Sequence, residues 1–298
     1  MEAPLGIAGS PSEVGHGVPP NRILAVTAGA LLGTGALLAL GPRTGAAQPR
    51  SRNPRSATVQ KVFPSAVRLQ IAAGGEVVRS ASGVAFAREG EVTYVLTNAH
   101  VVEPGAGWKS PVELRVLVSG RKDPLAGRVV TSGHVPDLDI AVVAVTSSAI
   151  PLTPIGGDDG LELGDDLVVI GAPFGKGLSV AAGIVSQVEY AFSESAGAPR
   201  LPKSIKTDAA IGYGSSGGGV FDVPGGRLVG LVEGYRTARV AFGKDEGYSF
   251  DVPMPGETFV APAAKIRRFL SDRGLGKLAP GAVTAAADPE PQVTPARM

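Results

Sequence analysis

The sequence predicts an all-β protein, built as a sandwich or as barrels, and three observations lead there. Gly occurs 42 times and Pro 25 times in 298 residues, and both break helix interiors. From Ala57 to about Gly274, short β-branched segments recur with Gly, Pro, Asp and Ser clusters between them, as strands joined by tight turns do. Their regular recurrence suits sheets folded on one another, not a helical bundle.

Element by element, residues 1–22 carry few large apolar groups and read as disordered. Residues 23–40 (ILAVTAGALLGTGALLAL) form an uncharged apolar run of 18, just long enough for a membrane helix but weakly hydrophobic. The run reads either as the core of a secretory signal, with Gly45, Ala46 and Ala47 as a cleavage site, or as an uncleaved anchor. Residues 41–56 read as a linker. Arg43, Arg50, Arg52 and Arg55 follow the run and only Arg22 closely precedes it. By the positive-inside rule that bias opposes export.

A domain over 57–275 follows. Its strands are expected at 66–72, 82–87, 92–99, 112–118, 139–145, 166–171, 180–185, 217–223, 227–232 and 248–252. One helix is expected after Pro262, with Ile266, Phe269 and Leu270 on one face and Gly274 ending it. The Ala/Pro-rich residues 276–298 read as a disordered tail.

Composition removes several function classes. Lys+Arg number 28 against 27 Asp+Glu, a net charge of +1, so no basic footprint for nucleic acid exists. The absence of cysteine excludes disulfides, thiolate metal sites and cysteine nucleophiles. The three histidines are His16, His100 and His134; none lies in an H-E-x-x-H pattern, so zinc catalysis has no support. Two glycine-rich segments with a lysine hint at phosphate loops and fail. Trp108 stands where a glycine precedes the lysine in 105–110, and Gly177 stands where Ser or Thr is required after Lys176.

The strongest local signal is Gly214-Ser215-Ser216-Gly217-Gly218. A serine among glycines, bracketed by apolar segments, sits where the backbone bends sharply and its N–H groups can face a developing oxyanion. The residues also fit G-x-S-x-G, but α/β-hydrolases place their histidine after the serine, and no histidine follows Ser216. With His100 as base, Asp before His also fails, because the first aspartate is Asp123. His before Asp before Ser remains, the order of chymotrypsin-like double barrels. His100 closes an apolar strand, whereas His134 sits in a Gly-His-Val-Pro turn and reads as solvated. Asp137 and Asp139 both precede an apolar strand; Asp139 abuts it directly and is preferred, with Asp137 as a turn residue.

Three blocks resemble those of HtrA/Deg-type trypsin-like serine proteases: Thr97-Asn98-Ala99-His100-Val101-Val102, Asp139-Ile140-Ala141-Val142-Val143, and Thr207-Asp208-Ala209-Ala210-Ile211 with Gly214 to Gly218. The segments 170–175, 183–186 and 226–230 are similar to that family too, so the likeness runs in order from about 58 to 272. It implies two six-stranded antiparallel barrels with a short C-terminal helix, and a cleft between the barrels. It also implies a serine endopeptidase acting on protein or peptide substrates, without metal or organic cofactor. His100, Asp139 and Ser216 would form the triad. Gly214 and Ser216 N–H groups, with Ser215 shaping the turn, would form the oxyanion hole. Ala210, Ile211, Gly212, Leu231, Val232 and Glu233 would line the substrate pocket. Ala210, six residues before the nucleophile, brings no carboxylate to the pocket floor, so small or medium apolar side chains are expected there.

Ser215 stands where the family usually has Asn and where digestive relatives have an aspartate that pairs with a new N-terminus. Activation without proteolytic processing is therefore expected. No PDZ sequence is expected after the protease domain, so peptide-triggered activation is not carried over. The resemblance implies an extracytoplasmic location, by export or a tether through 23–40. The competing class, a chaperone or peptide-binding protein on the same fold, would fit a chain lacking a triad member, and none is lacking here.

Overall fold

Antiparallel pairing closes two six-stranded barrels. The computed structural model describes residues 53–279 apart from 106, 136, 158–159, 191–201 and 243–247. The expected disordered N-terminus, the apolar run at 23–40 and residues 280–298 lie outside them. Among the described residues no helix is long and apolar enough to cross a membrane.

The first barrel comprises β1 (Ala66–Ala73), β2 (Glu76–Glu89), β3 (Val92–Thr97), β4 (Val112–Val118), β5 (Leu125–Ser132) and β6 (Ala141–Thr146). Around the barrel the order is β1-β2-β3-β6-β5-β4. The second comprises β7 (Asp166–Gly171), β8 (Ser179–Tyr190), β9 (Pro202–Thr207), β10 (Gly219–Asp222), β11 (Leu228–Phe242) and β12 (Tyr248–Pro262). Read from β7, its order is β7-β8-β9-β12-β11-β10, the same path repeated.

Strand sequences reflect where each face goes. Successive side chains point to opposite faces of a strand. Val143 and Val145 fill the first barrel, while Val142 packs in the cluster between the barrels. Leu167 and Val169 fill the second barrel, while Val168 and Ile170 join the cluster between them. Both faces are buried, so AVVAV and LVVIG show no polar alternation. Each fully buried Val, Leu or Ile is worth about 1.5–3 kcal/mol, so these short runs dominate the core.

Helices tie the ends of the chain to this core. The expected C-terminal helix is α3 (Ala263–Asp272), counting α1 and α2 below, with Pro262 at its N-cap. Ile266, Phe269 and Leu270 are wholly buried. Gly274 has φ 70°, and beyond it Leu275 N donates to Leu270 O at 2.7 Å, a left-handed termination that favours glycine. The chain stays ordered past 275. Gly276–Leu278 forms a 3-10 turn, Leu278 and Ala279 pack on the central cluster, and Lys277 pairs with Glu89 at 2.7 Å. The expected disordered tail therefore does not begin at 276, because those apolar groups find a core.

The expected linker is also shorter than 41–56. Helix α1 (Pro54–Val62) starts within it, with Asn53 Oδ1 accepting from Arg55 N at 3.0 Å and proline in the first turn, as capping favours. Its Thr58 donates to Val223 O at 2.6 Å and Lys61 to Gly225 O at 2.6 Å, which fasten it to the second barrel.

Candidate active site

His100 lies on α2 (Ala99–Val102), a single turn that follows β3. Asp139 lies two residues before the first residue of β6, and β3 and β6 are neighbours in the barrel. Their pairing, Thr97 opposite Ala141, brings the two residues together. His100 Nδ1 is 2.7 Å from Asp139 Oδ2, and His100 N donates to Asp139 Oδ1 at 2.9 Å. Asn98 Nδ2 donates to Asp139 O at 2.8 Å. Asp139 is 8% exposed. A buried carboxylate that accepts from both ring and backbone holds Nδ1 as the donor. That leaves Nε2 free to accept a proton. His134 and Asp137 are exposed in the turn before Asp139. A Cβ at Gly133 would fall 1.9 Å from Leu138 O, so this turn admits glycine alone.

Ser216 lies in the loop before β10. Gly214 and Gly217 have φ 91° and 77°, the left-handed region that glycine tolerates. Gly217 N donates to Val232 O, and Gly218 N to Ser215 O at 2.8 Å, which closes the turn under the serine. A Cβ on Gly217 would lie 2.4 Å from both Ser82 O and Thr97 Oγ1. The serine loop therefore presses against the residue three before His100. Ser82 N also donates to Ser216 O at 2.9 Å. Among the described residues no hydrogen bond joins Ser216 Oγ to His100 Nε2.

The N–H groups of the loop divide by use. Ser215 N donates to Gly212 O at 3.0 Å, and Ser215 Oγ accepts from Gly212 N at 3.3 Å. Buried Ser215 is thus spent inside the turn. Gly214 N and Ser216 N carry no such bond among the described residues.

A cavity of about 380 Å³ opens behind this loop, lined by Ala210, Ile211, Gly212, Tyr213 and Ser215 with side chains from β7 and β8. Three of the six expected pocket residues, Ala210 to Gly212, line it. Leu231 and Val232 do not: alternation along β11 turns Leu231 into the cluster between the barrels and Val232 into the second barrel. Glu233 is drawn away by α3, its carboxylate 2.8 Å from Lys265 Nζ.

A family profile described as trypsin-like peptidase domain matches residues 81–231. The chain belongs to this family. A probable periplasmic serine endoprotease DegP-like from Pseudomonas fulva is 33% identical over 195 residues, covering 65% of this chain and 36% of that protein. A serine protease HtrA-like from Staphylococcus aureus is 30% identical over 180 residues, 58% of this chain and 22% of that protein. The chain thus spans well under half the length of these relatives. The crystal structure of the serine endoprotease from Yersinia pestis superposes with a TM-score of 0.53 at 22% identity, over 73% of this chain and 65% of that one. This is a likeness of fold.

In this member of the trypsin-like peptidase family two residues that sequence reasoning missed support the site. Arg79, on β2, donates to Val101 O at 3.0 Å, to Glu103 O at 2.9 Å and to His100 O. It satisfies the carbonyls that a one-turn helix leaves open. Its guanidinium lies 4.7 Å over the Trp108 ring. Burial pulls it below its ordinary pKa, with Glu103 opposing. Only its position beneath α2 reveals this role; an arginine in a polar strand end carries no signal. Ser82, likewise silent in sequence, contacts both the serine loop and β3.

Proposed function

We propose that this chain is a serine endopeptidase that hydrolyses protein or peptide substrates outside the cytoplasm. The observation that carries the reading is the double acceptance by Asp139 from His100, beside a serine loop whose Gly214 and Ser216 N–H groups are unspent. Ser216 Oγ attacks the peptide carbonyl while His100 Nε2 takes its proton. The carbonyl oxygen becomes an oxyanion held by Gly214 and Ser216 N–H. The C–N bond breaks as His100 returns the proton to the amine. Water, deprotonated by His100, then cleaves the acyl ester and restores Ser216.

A fluorophosphonate probe tests the reading: it should label Ser216 of the full chain, and the labelled protein should no longer cleave casein. A folded chain that is not labelled would overturn it.

Two further expectations follow. Ala210 carries no charge and Glu233 is neutralised by Lys265, so cleavage after Val, Ala or Leu should dominate a peptide library. Dominant cleavage after Arg or Lys would refute an apolar pocket. The location is supported by the apolar run at 23–40 and by the periplasmic description of the Pseudomonas relative; the arginines at 43–55 oppose it. Alkaline phosphatase fused after residue 60 should be active, and an inactive fusion that accumulates to normal levels would place the domain inside.

A further inference from the structure

We propose that Ser82 is the positioning residue that locks the oxyanion loop with its N–H groups turned outward; this rests on the endopeptidase reading. Ser82 sits on β2 of the first barrel, yet every polar atom it owns serves the site. Its Oγ donates to Gly214 O at 2.7 Å and accepts from Ala172 N at 2.8 Å. Its N donates to Ser216 O at 2.9 Å. Its carbonyl accepts from Thr97 Oγ1 at 2.8 Å, three residues before His100. Ser82 is wholly buried, so water has no access to replace these contacts.

The consequence follows from peptide geometry. In a trans peptide the N–H and C=O point in opposite directions, so fixing the carbonyl fixes the donor. The Gly214–Ser215 peptide is pinned at both ends, its carbonyl by Ser82 Oγ and its N–H by Gly212 O at 3.0 Å. The Tyr213–Gly214 peptide is pinned through its carbonyl, which accepts from Phe174 N at 2.5 Å. Gly214 N–H is thereby aimed away from Phe174. Phe174 lies in the turn Pro173–Gly175 at φ 56°, a conformation costly for a side chain of its size. Ala172, at the head of that turn, is the second partner of Ser82 Oγ. One hydroxyl, with one hydrogen and two lone pairs, therefore ties the loop directly and the Phe174 anchor through its neighbour. With glycine at 214, no Cβ hinders a flip of either peptide, so the bonds from Ser82 and Phe174 add to the one that the loop makes within itself.

The test compares wild type with Ser82→Ala and Ser82→Cys in the full chain. Three readouts are taken: kcat and KM on a peptide amide, affinity for a peptidyl aldehyde, and affinity for the matching alcohol. The aldehyde reads the oxyanion hole directly. Ser216 Oγ bonds to its carbon, the proton goes to His100, and the carbonyl pair becomes an oxyanion with no leaving group. The alcohol forms no bond.

Losing an oxyanion donor outright costs about 100- to 1,000-fold, so losing a residue that holds the loop carrying it should lower kcat about 10- to 100-fold. KM and alcohol affinity should hold within about twofold, and aldehyde affinity should fall with kcat. The Cys variant, a weak donor, should lie between. Amide exchange over 212–217 should rise in the Ala variant. An Ala variant that keeps its kcat would overturn the proposal. So would equal losses for aldehyde and alcohol, or an unfolded Ala variant that Cys does not rescue. A wild type that neither cleaves nor labels refutes the endopeptidase reading instead, and the exchange measurement then decides the role of Ser82 on its own.

Discussion

Ser216→Ala is expected to lower kcat about a million-fold, the loss seen when a triad nucleophile is removed. The alanine leaves the loop intact. Gly217 N to Val232 O, Gly218 N to Ser215 O and Ser82 N to Ser216 O are all backbone bonds, so folding should persist and thermal melting should move little. Without Oγ no acyl-enzyme forms, and fluorophosphonate labelling should vanish with turnover. His100→Ala should lose nearly as much, because the two residues act as a unit and their losses do not add. His134→Ala supplies the control: the residue is exposed in the turn before Asp139 and should leave kcat unchanged. An active Ser216→Ala protein would mean another nucleophile. An inactive His134→Ala with an active His100→Ala would move the base to the other barrel-1 histidine.

The strands most plainly legible are those buried on two faces. AVVAV and LVVIG read as strands from composition alone because both barrel interior and inter-barrel cluster demand apolar groups. Strands β5 (LAGRVVTS) and β9 (PKSIKT) escaped, since neither is a continuous apolar run and their sequences carry Gly or Pro. They are strands because neighbours on both sides supply hydrogen-bond partners, a tertiary effect that propensity does not encode. Helix α1 was not legible, since it has no apolar stripe; it is held by buried Val62 and by two hydrogen bonds to residues 164–165 positions away.

The candidate site divides in the same way. The expected meeting of His100 and Asp139 is found; few histidines and one glycine-framed serine narrow the chain order, and Asp139 stands nearer its strand than Asp137 does. Ser82 and Arg79 were not, because a serine or arginine within a strand has no distinguishing neighbours. Their roles arise only when β2 passes beneath both the serine loop and α2. Side-chain direction was the other blind spot. The pairing of β11 with β12 sets which way Leu231 and Val232 face, and a one-residue change of register would exchange them.

Asp139→Asn should lower kcat about ten-thousand-fold while leaving the backbone in place. Asp139 accepts twice from His100, at Nδ1 and at the main-chain N, and an amide has one oxygen where the carboxylate has two. If that oxygen stays on the main-chain N–H, the NH2 group faces Nδ1 and donates to it. Nδ1 then becomes the acceptor and the proton moves to Nε2, which can no longer take one from Ser216. If the amide turns over, Nδ1–H keeps an acceptor but the NH2 opposes the His100 N–H, and α2 loses its hold. The buried position of Asp139 makes the second arrangement the costlier, since a buried donor left unsatisfied costs about 1–3 kcal/mol. The wrong tautomer is therefore the expected result. Nitrogen-15 shifts of the His100 ring should show the proton on Nδ1 in wild type and on Nε2 in the variant, with fluorophosphonate labelling slowed in step with kcat. A loss below about tenfold, or an unchanged tautomer with full loss, would show that Asp139 does something other than orient the imidazole.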